Sequence, residues 1–227
     1  MPLSKEMKHL RGDLNLAHLV ARSGVSKDVD ASLLVQRNKN DWLPVHLAKN
    51  THIAEILIRE TVKHLPLVDI VLPCIRNNAQ SIQTQYGTDL EIFLMEQGFT
   101  AKEAKQGAVP PSTRERIDLA KLYLSLVDPT WLQQFDFNPL EVALSHCNSY
   151  FLFALHAQPE SLQKDLVEAF RGSIQVKIGS AFYLSDRAFQ VKQQLKQFWG
   201  IHVPITTVLP TNYGQQTDDA LKNLEGA

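Results

Sequence analysis

Two cysteines in a chain of 227 residues are too few for a disulfide framework, so the fold has to rest on packing alone. Charge of one sign is also missing. With 23 basic and 24 acidic residues the formal net charge is −1, which gives no general attraction to nucleic acid or to acidic membranes. Long apolar runs are missing too. The most apolar stretch, Leu65 to Ile75, is interrupted by Asp69, Pro66 and Pro73, and it falls far short of the roughly 20 residues that span a bilayer. The opening Met-Pro-Leu-Ser-Lys-Glu-Met-Lys-His has no apolar segment, so no secretory signal and a cytoplasmic location are expected.

Motifs for chemistry are equally scarce. Eight histidines are present, yet there is no Cys-x-x-Cys and no His-Glu-x-x-His. His46 and His52 are six apart and His146 and His156 ten apart, so neither pair shares one-turn spacing. Gly-x-Ser-x-Gly, the dinucleotide fingerprint and the phosphate loop do not occur, and no pair of carboxylates stands out for acid–base work. His146 and Cys147 are neighbours, but adjacent helical side chains point roughly 100° apart, which makes a poor thiol–imidazole dyad. Cys147 with a distant histidine remains the one place to look for a nucleophile. The expectation is two structural thiols, no cofactor and no metal.

What is present is ordinary for a globular protein: 44% apolar and 21% charged residues, with enough length for a sizeable core. The most informative stretch runs from Ser112 to Asp128. Ser112 and Glu115 have capping-box spacing. After them the polar residues Asp118, Lys121, Ser125 and Asp128 fall at steps of three, four and three, one narrow stripe on a helix. Everything else from Ile117 to Val127 is apolar. This predicts a central helix buried on all sides but one.

Other local signals surround it. A helix is expected from Ser4 to about Arg22 with Gly24 as its stop, then one opening at Ser26. Pro44 and Asn50 or Thr51 start the next two. Pro66 and Pro73 are expected to break Leu65 to Ile75 into short turns. Capping boxes at Thr88/Glu91 and Thr100/Glu103 precede stops at Gly98 and Gly107. Asp128-Pro129, Asn138-Pro139, Asn148 and Pro159 open four more helices, the last stopping at Gly172.

Beyond Gly172 the hydrophobic period changes. Ser173 to Ile178 alternates with period two and reads as a strand. A helix follows from about Ser185 to Trp199, and Ile201 to Val208 alternates again, restricted by Pro204 to an edge strand. The fold class is mainly α, with many short helices around a buried central helix and a small C-terminal strand–helix–strand appendix. The chain divides into a helical domain, 1–172, with a weaker joint at 108–111, and an appendage with tail, 173–227.

The segment Leu43-Pro-Val-His-Leu-Ala-Lys-Asn resembles the first helix of an ankyrin repeat, with Pro44, His46 and Ala48 on the repeat's Thr-Pro-Leu-His-x-Ala signature. Asp89 to Gly98 looks like a second ankyrin helix with its glycine, and Asn138-Pro-Leu-Glu-Val-Ala like another first helix. The signature is never complete, and Pro44 and Pro139 are 95 apart, not a multiple of the repeat length. The resemblance covers about a third of the chain and implies a protein-binding scaffold.

The resulting expectation is a non-catalytic helical protein-interaction adaptor, or an accessory subunit of a hetero-oligomeric protein complex. A component of a bacterial secretion machine is its more specific form, which no motif carries. The alternative is an enzyme of an all-helical family without a local signature, or an effector delivered by a secretion system. Partner-binding residues are expected at Phe198, Trp199, Ile201, Val203 and Ile205, because aromatics dominate interfaces where they are exposed and an uncovered strand edge can accept a partner strand.

Overall fold

The structure, a computed structural model, describes residues 14–80, 86–135, 138–146, 148–177 and 186–202. These residues are mainly helical, with no strand among them. The chain order is α1 (Leu16–Ser23), α2 (Ala31–Leu34), a 3-10 turn (Pro44–Leu47), α3 (Thr51–Thr61), α4 (Leu67–Gln80), α5 (Thr88–Glu96) and α6 (Ala101–Ala108). Then follow α7 (Thr113–Ser125), α8 (Pro129–Gln134), α9 (Pro139–Ser145), α10 (Ser149–His156), α11 (Glu160–Lys177) and α12 (Asp186–Trp199).

The central helix is α7, which packs against α3, α4 and α10. Its start is set by the reciprocal cap read from the sequence: Glu115 N–H donates to Ser112 Oγ at 3.2 Å, and Ser112 N–H donates to Glu115 Oε2 at 2.7 Å. Leu119, Ala120, Tyr123 and Leu124 are buried. Ile117 and Leu122 are only half-buried, so the inward face is narrower than the single polar stripe implied.

Several ends form where local chemistry places them. Thr100 and Glu103 cap α6 reciprocally. Asp128, Asn138 and Asn148 each accept an amide of the helix they precede, from Thr130, Leu140 and Phe151. Gly24 closes α1 in the left-handed conformation, at φ 71°, which glycine adopts without a Cβ clash.

Other ends differ. The start of α1 is Asn15, which forms a capping box with His18; Ser4 lies outside the described residues. The second helix is capped by Asp30, whose Oδ1 takes the Ser32 amide at 2.8 Å, and not by Ser26. Thr88 makes no cap. Gly87 N–H donates to Ala108 O at 2.9 Å, which fixes the entry one residue earlier and leaves Thr88 as the first helical residue.

Pro73 does not break its stretch: α4 runs continuously through it. A proline inside a helix costs about 3 kcal/mol. The flanking Ile70, Val71, Leu72, Cys74 and Ile75 are all buried, at about 1.5–3 kcal/mol each, so burial wins.

Gly107 is not a stop but lies within α6. A Cβ there would sit 2.6 Å from Leu94 Cδ1 and 3.1 Å from Ser23 Cα. Its missing side chain lets α6 close on α1 and α5.

Gly172 is not a stop either. Residues 173–177, where alternation pointed to a strand, continue α11. Extending an existing helix adds a hydrogen bond per residue, enough to carry it past one glycine at about 1 kcal/mol. Residues 178–185 and the expected second strand from Val203 lie outside the described residues.

Two apolar clusters result. The larger gathers α3, α4, α7, α9 and α10 with Leu162, Leu166 and Val167 of α11; Val191 and Leu195 of α12, and Ile201 just beyond it, belong to it as well. These three residues after Gly172 thus pack with the helices that precede it. The smaller cluster holds Leu19, Val20, Leu90, Phe93, Leu94, Phe99 and Ala104. Helix α1 stands between them, with Ala17 and Ala21 in one and Leu19 and Val20 in the other.

Candidate functional site

The expected docking residues separate once placed. Ile201 is 4% exposed and sits in the main core. Its burial follows from Gly200 (φ 64°), which turns the chain so that the Ile201 amide returns to Leu195 O at 3.1 Å. Val203 and Ile205 lie outside the described residues, as does Cys147. Phe198 and Trp199 remain half-exposed at the end of α12.

They line a groove of about 770 Å³ between α10, α11 and α12. Four rings meet at its rim. His156 stacks on Phe198 at 4.2 Å between centroids and 2° between planes. Phe153 meets Phe198 edge-on at 5.5 Å, as does Trp199 at 5.5 Å. Offset or edge-on pairs of this kind add about 0.5–1.5 kcal/mol beyond area burial. Phe153 is 45% exposed although Phe151, two residues before it, is buried. Two positions on a helix differ by about 200°, so one ring enters the core and the other faces solvent.

Gln163 fixes the ring cluster. Trp199 Nε1 donates to Gln163 Oε1 at 2.9 Å. Gln163 Nε2 donates to the carbonyls of His156, at 2.9 Å, and Gln158, at 2.6 Å. One carboxamide therefore ties α11 to the end of α10 and to the end of α12. Gln158, itself buried, passes the link to Lys121 O of α7 at 3.3 Å.

Charge along the groove comes from one face of α11. Glu160, Gln163, Lys164, Val167 and Glu168 all line it, at positions i, i+3, i+4, i+7 and i+8. Two carboxylates face one ammonium, and none of the three forms an ion pair among the described residues.

Sequence reasoning named Phe198 and Trp199 and did not join them to Phe153, His156 and Gln163. The outward direction of Phe153 was available from its spacing to Phe151; the Gln163 link was not, because it joins segments 36 residues apart.

Cys74 is fully buried, its Sγ 3.9 Å from Val45 O, and burial pushes its thiol well above the ordinary value. A thiol that stays protonated is a poor nucleophile. Among the described residues no group of three or more His, Cys, Asp or Glu could hold a metal ion, and no helix is long and apolar enough to cross a membrane. Comparison of the chain with protein-family models, with curated proteins and with solved structures found no match.

Proposed function

We propose that this chain is a helical interaction subunit that docks a partner protein in the groove between α10, α11 and α12. The observation that carries the reading is the ring cluster Phe153–His156–Phe198–Trp199 held by Gln163. Half-exposed aromatics held in place before binding are what interface hot spots consist of, because little side-chain entropy is lost on docking. A solvated surface would leave such rings mobile and scattered. The partly ankyrin-like segments imply the same class of function.

The partner that fits is an amphipathic helix. Its aromatic or leucine anchors, at i and i+3 or i+4, fill the space over Phe198 and Trp199, the mode by which helices enter apolar grooves. A lysine or arginine beside the anchors meets Glu160 and Glu168, which form no ion pair among the described residues.

The test is a display library of random peptides panned on the purified chain. Enriched sequences should be helical, with paired apolar anchors and a net positive charge. Their affinity should fall about tenfold or more for Trp199→Ala and Phe198→Ala. Peptides that bind these variants as well as the parent chain would place docking elsewhere.

A further inference from the structure

A second cavity, of about 360 Å³, lies on another part of the molecule, where the ends of α4 and α6 meet the starts of α7 and α10. That volume is at the small end of the range for small-molecule sites. Four aromatic residues line it: Trp42, Tyr86, Tyr150 and Phe151.

The polar groups of its wall are unevenly committed. Asn78 Nδ2 donates to Cys74 O, and Asn148 Nδ2 donates to the carbonyls of Asn78 and Ala79. Those amides are spent on closing the end of α4. Asn77 Nδ2, by contrast, is buried with no hydrogen-bond partner. His46 Nδ1 accepts from the Leu43 amide at 3.2 Å, and the Ile70 backbone acts on the buried ring. A buried donor left unmade costs about 1–3 kcal/mol, and the one at Asn77 calls for an acceptor.

The charge is uneven in the same sense. Arg116 lines the cavity, and its guanidinium makes a long contact from Nε to Pro111 O, 3.4 Å. Among the described residues no aspartate or glutamate lines the wall. The carboxylate next in sequence, Glu115, receives both Ser112 N–H and Ser112 Oγ–H in the cap, and its charge acts on Lys49. Behind Tyr86, the Lys49 ammonium lies 5.9 Å from the ring centroid and donates to Gln106 O. The cavity thus holds one unpaired buried donor, one guanidinium and flat apolar walls.

We propose that it is a binding site for a small, flat-ringed monocarboxylate. The carboxylate lies against the Arg116 guanidinium and Asn77 Nδ2, and the ring against the aromatic wall. A planar two-oxygen acid matches a guanidinium fork. A phosphate monoester, with more charge and more oxygens, would leave acceptors unmet by one guanidinium and one carboxamide. The site is separate from the partner groove and does not depend on it.

The experiment is calorimetric and NMR titration of the full chain with benzoate, nicotinate and indole-3-acetate. Benzamide, nicotinamide and indole-3-acetamide serve as uncharged counterparts, and inorganic phosphate as the bare anion. At least one acid should bind with a dissociation constant below about 1 mM and about tenfold or more tightly than its amide, shifting the resonances of Trp42, Tyr86 and Arg116. Arg116→Gln should erase the preference for acid over amide. Asn77→Asp, which keeps shape and adds a negative charge, should reject the acid and spare the amide. The proposal fails if no acid binds below about 10 mM, if acid and amide bind alike, or if phosphate competes as well as the acids. It fails equally if the two folded variants keep the parent's preference.

Discussion

The indole N–H of Trp199 donates to Gln163 Oε1 at 2.9 Å, and the same carboxamide donates to the last turn of α10. Removing it should loosen the groove more than the fold. Gln163→Leu keeps the size of the side chain and deletes all four of its hydrogen-bond contacts. The expected stability loss is about 1 kcal/mol, since the group is half-exposed and water replaces part of what is lost. A peptide selected on the parent chain should lose more than that in affinity. Denaturant unfolding and peptide titration on the same variant separate the two.

The central helix distinguishes two leucines that look equivalent in sequence. Leu124 is 0% exposed, and Leu124→Ala should cost about 2–5 kcal/mol. Leu122, half-buried, should cost about 1 kcal/mol on the same substitution. Urea unfolding of both measures the difference; equal losses would contradict the placement of α7.

Gly107→Ala tests the close crossing of α6 with α1. Alanine gains about 1 kcal/mol in helix propensity. Its Cβ, however, meets Ser23 Cα at 3.1 Å as well as Leu94 Cδ1 at 2.6 Å. The leucine tip can swing away, but the backbone of Ser23 cannot. Overpacking costs about 1–3 kcal/mol, so the net change should be a lower melting temperature. An unchanged or raised one would show that the helices part freely.

His46 gives the fold a pH dependence with a definite sign. Burial, helped by the charge of Arg37 and opposed by the Ile70 carbonyl, holds its pKa down at about 4. In the unfolded chain the ring titrates near 6.5. Between these values the unfolded state binds a proton that the native state does not. Stability is therefore unaffected above about pH 6.5 and falls by about 3 kcal/mol as the pH drops to about 4. His46→Gln should flatten the curve in that window, read by denaturant unfolding from pH 4 to pH 8.

What the sequence made legible was local. Thr100/Glu103 and Ser112/Glu115 cap helices because each pair needs only its own turn, and Gly24 stops α1 for the same reason. Pro73 misled because its local penalty is outweighed by the burial of neighbours, which only the tertiary fold supplies. Alternation at residues 173–177 misled because a helix already formed extends through weak signals. Phe198 and Trp199 were recognisable as aromatics, but their exposure depends on α10 and α11. The cavity was invisible in the sequence: Trp42, Asn77, Tyr86, Arg116 and Tyr150 come from five segments with no common spacing.

The hydrogen bond from Gly87 N–H to Ala108 O has a topological consequence. The chain leaves the body at residue 87 and returns to the same point at residue 108, so α5 and α6 form a closed excursion. Nothing downstream depends on how long that excursion is. A lineage, or an engineer, could shorten, lengthen or replace it without shifting the register of α7 or the shape of the groove. Excision would uncover Leu19 and Val20 of α1, take the Gln106 carbonyl from Lys49, and take the Gly98 carbonyl and the Phe99 ring from Lys27. The helical body is in that sense a smaller protein carrying a detachable module.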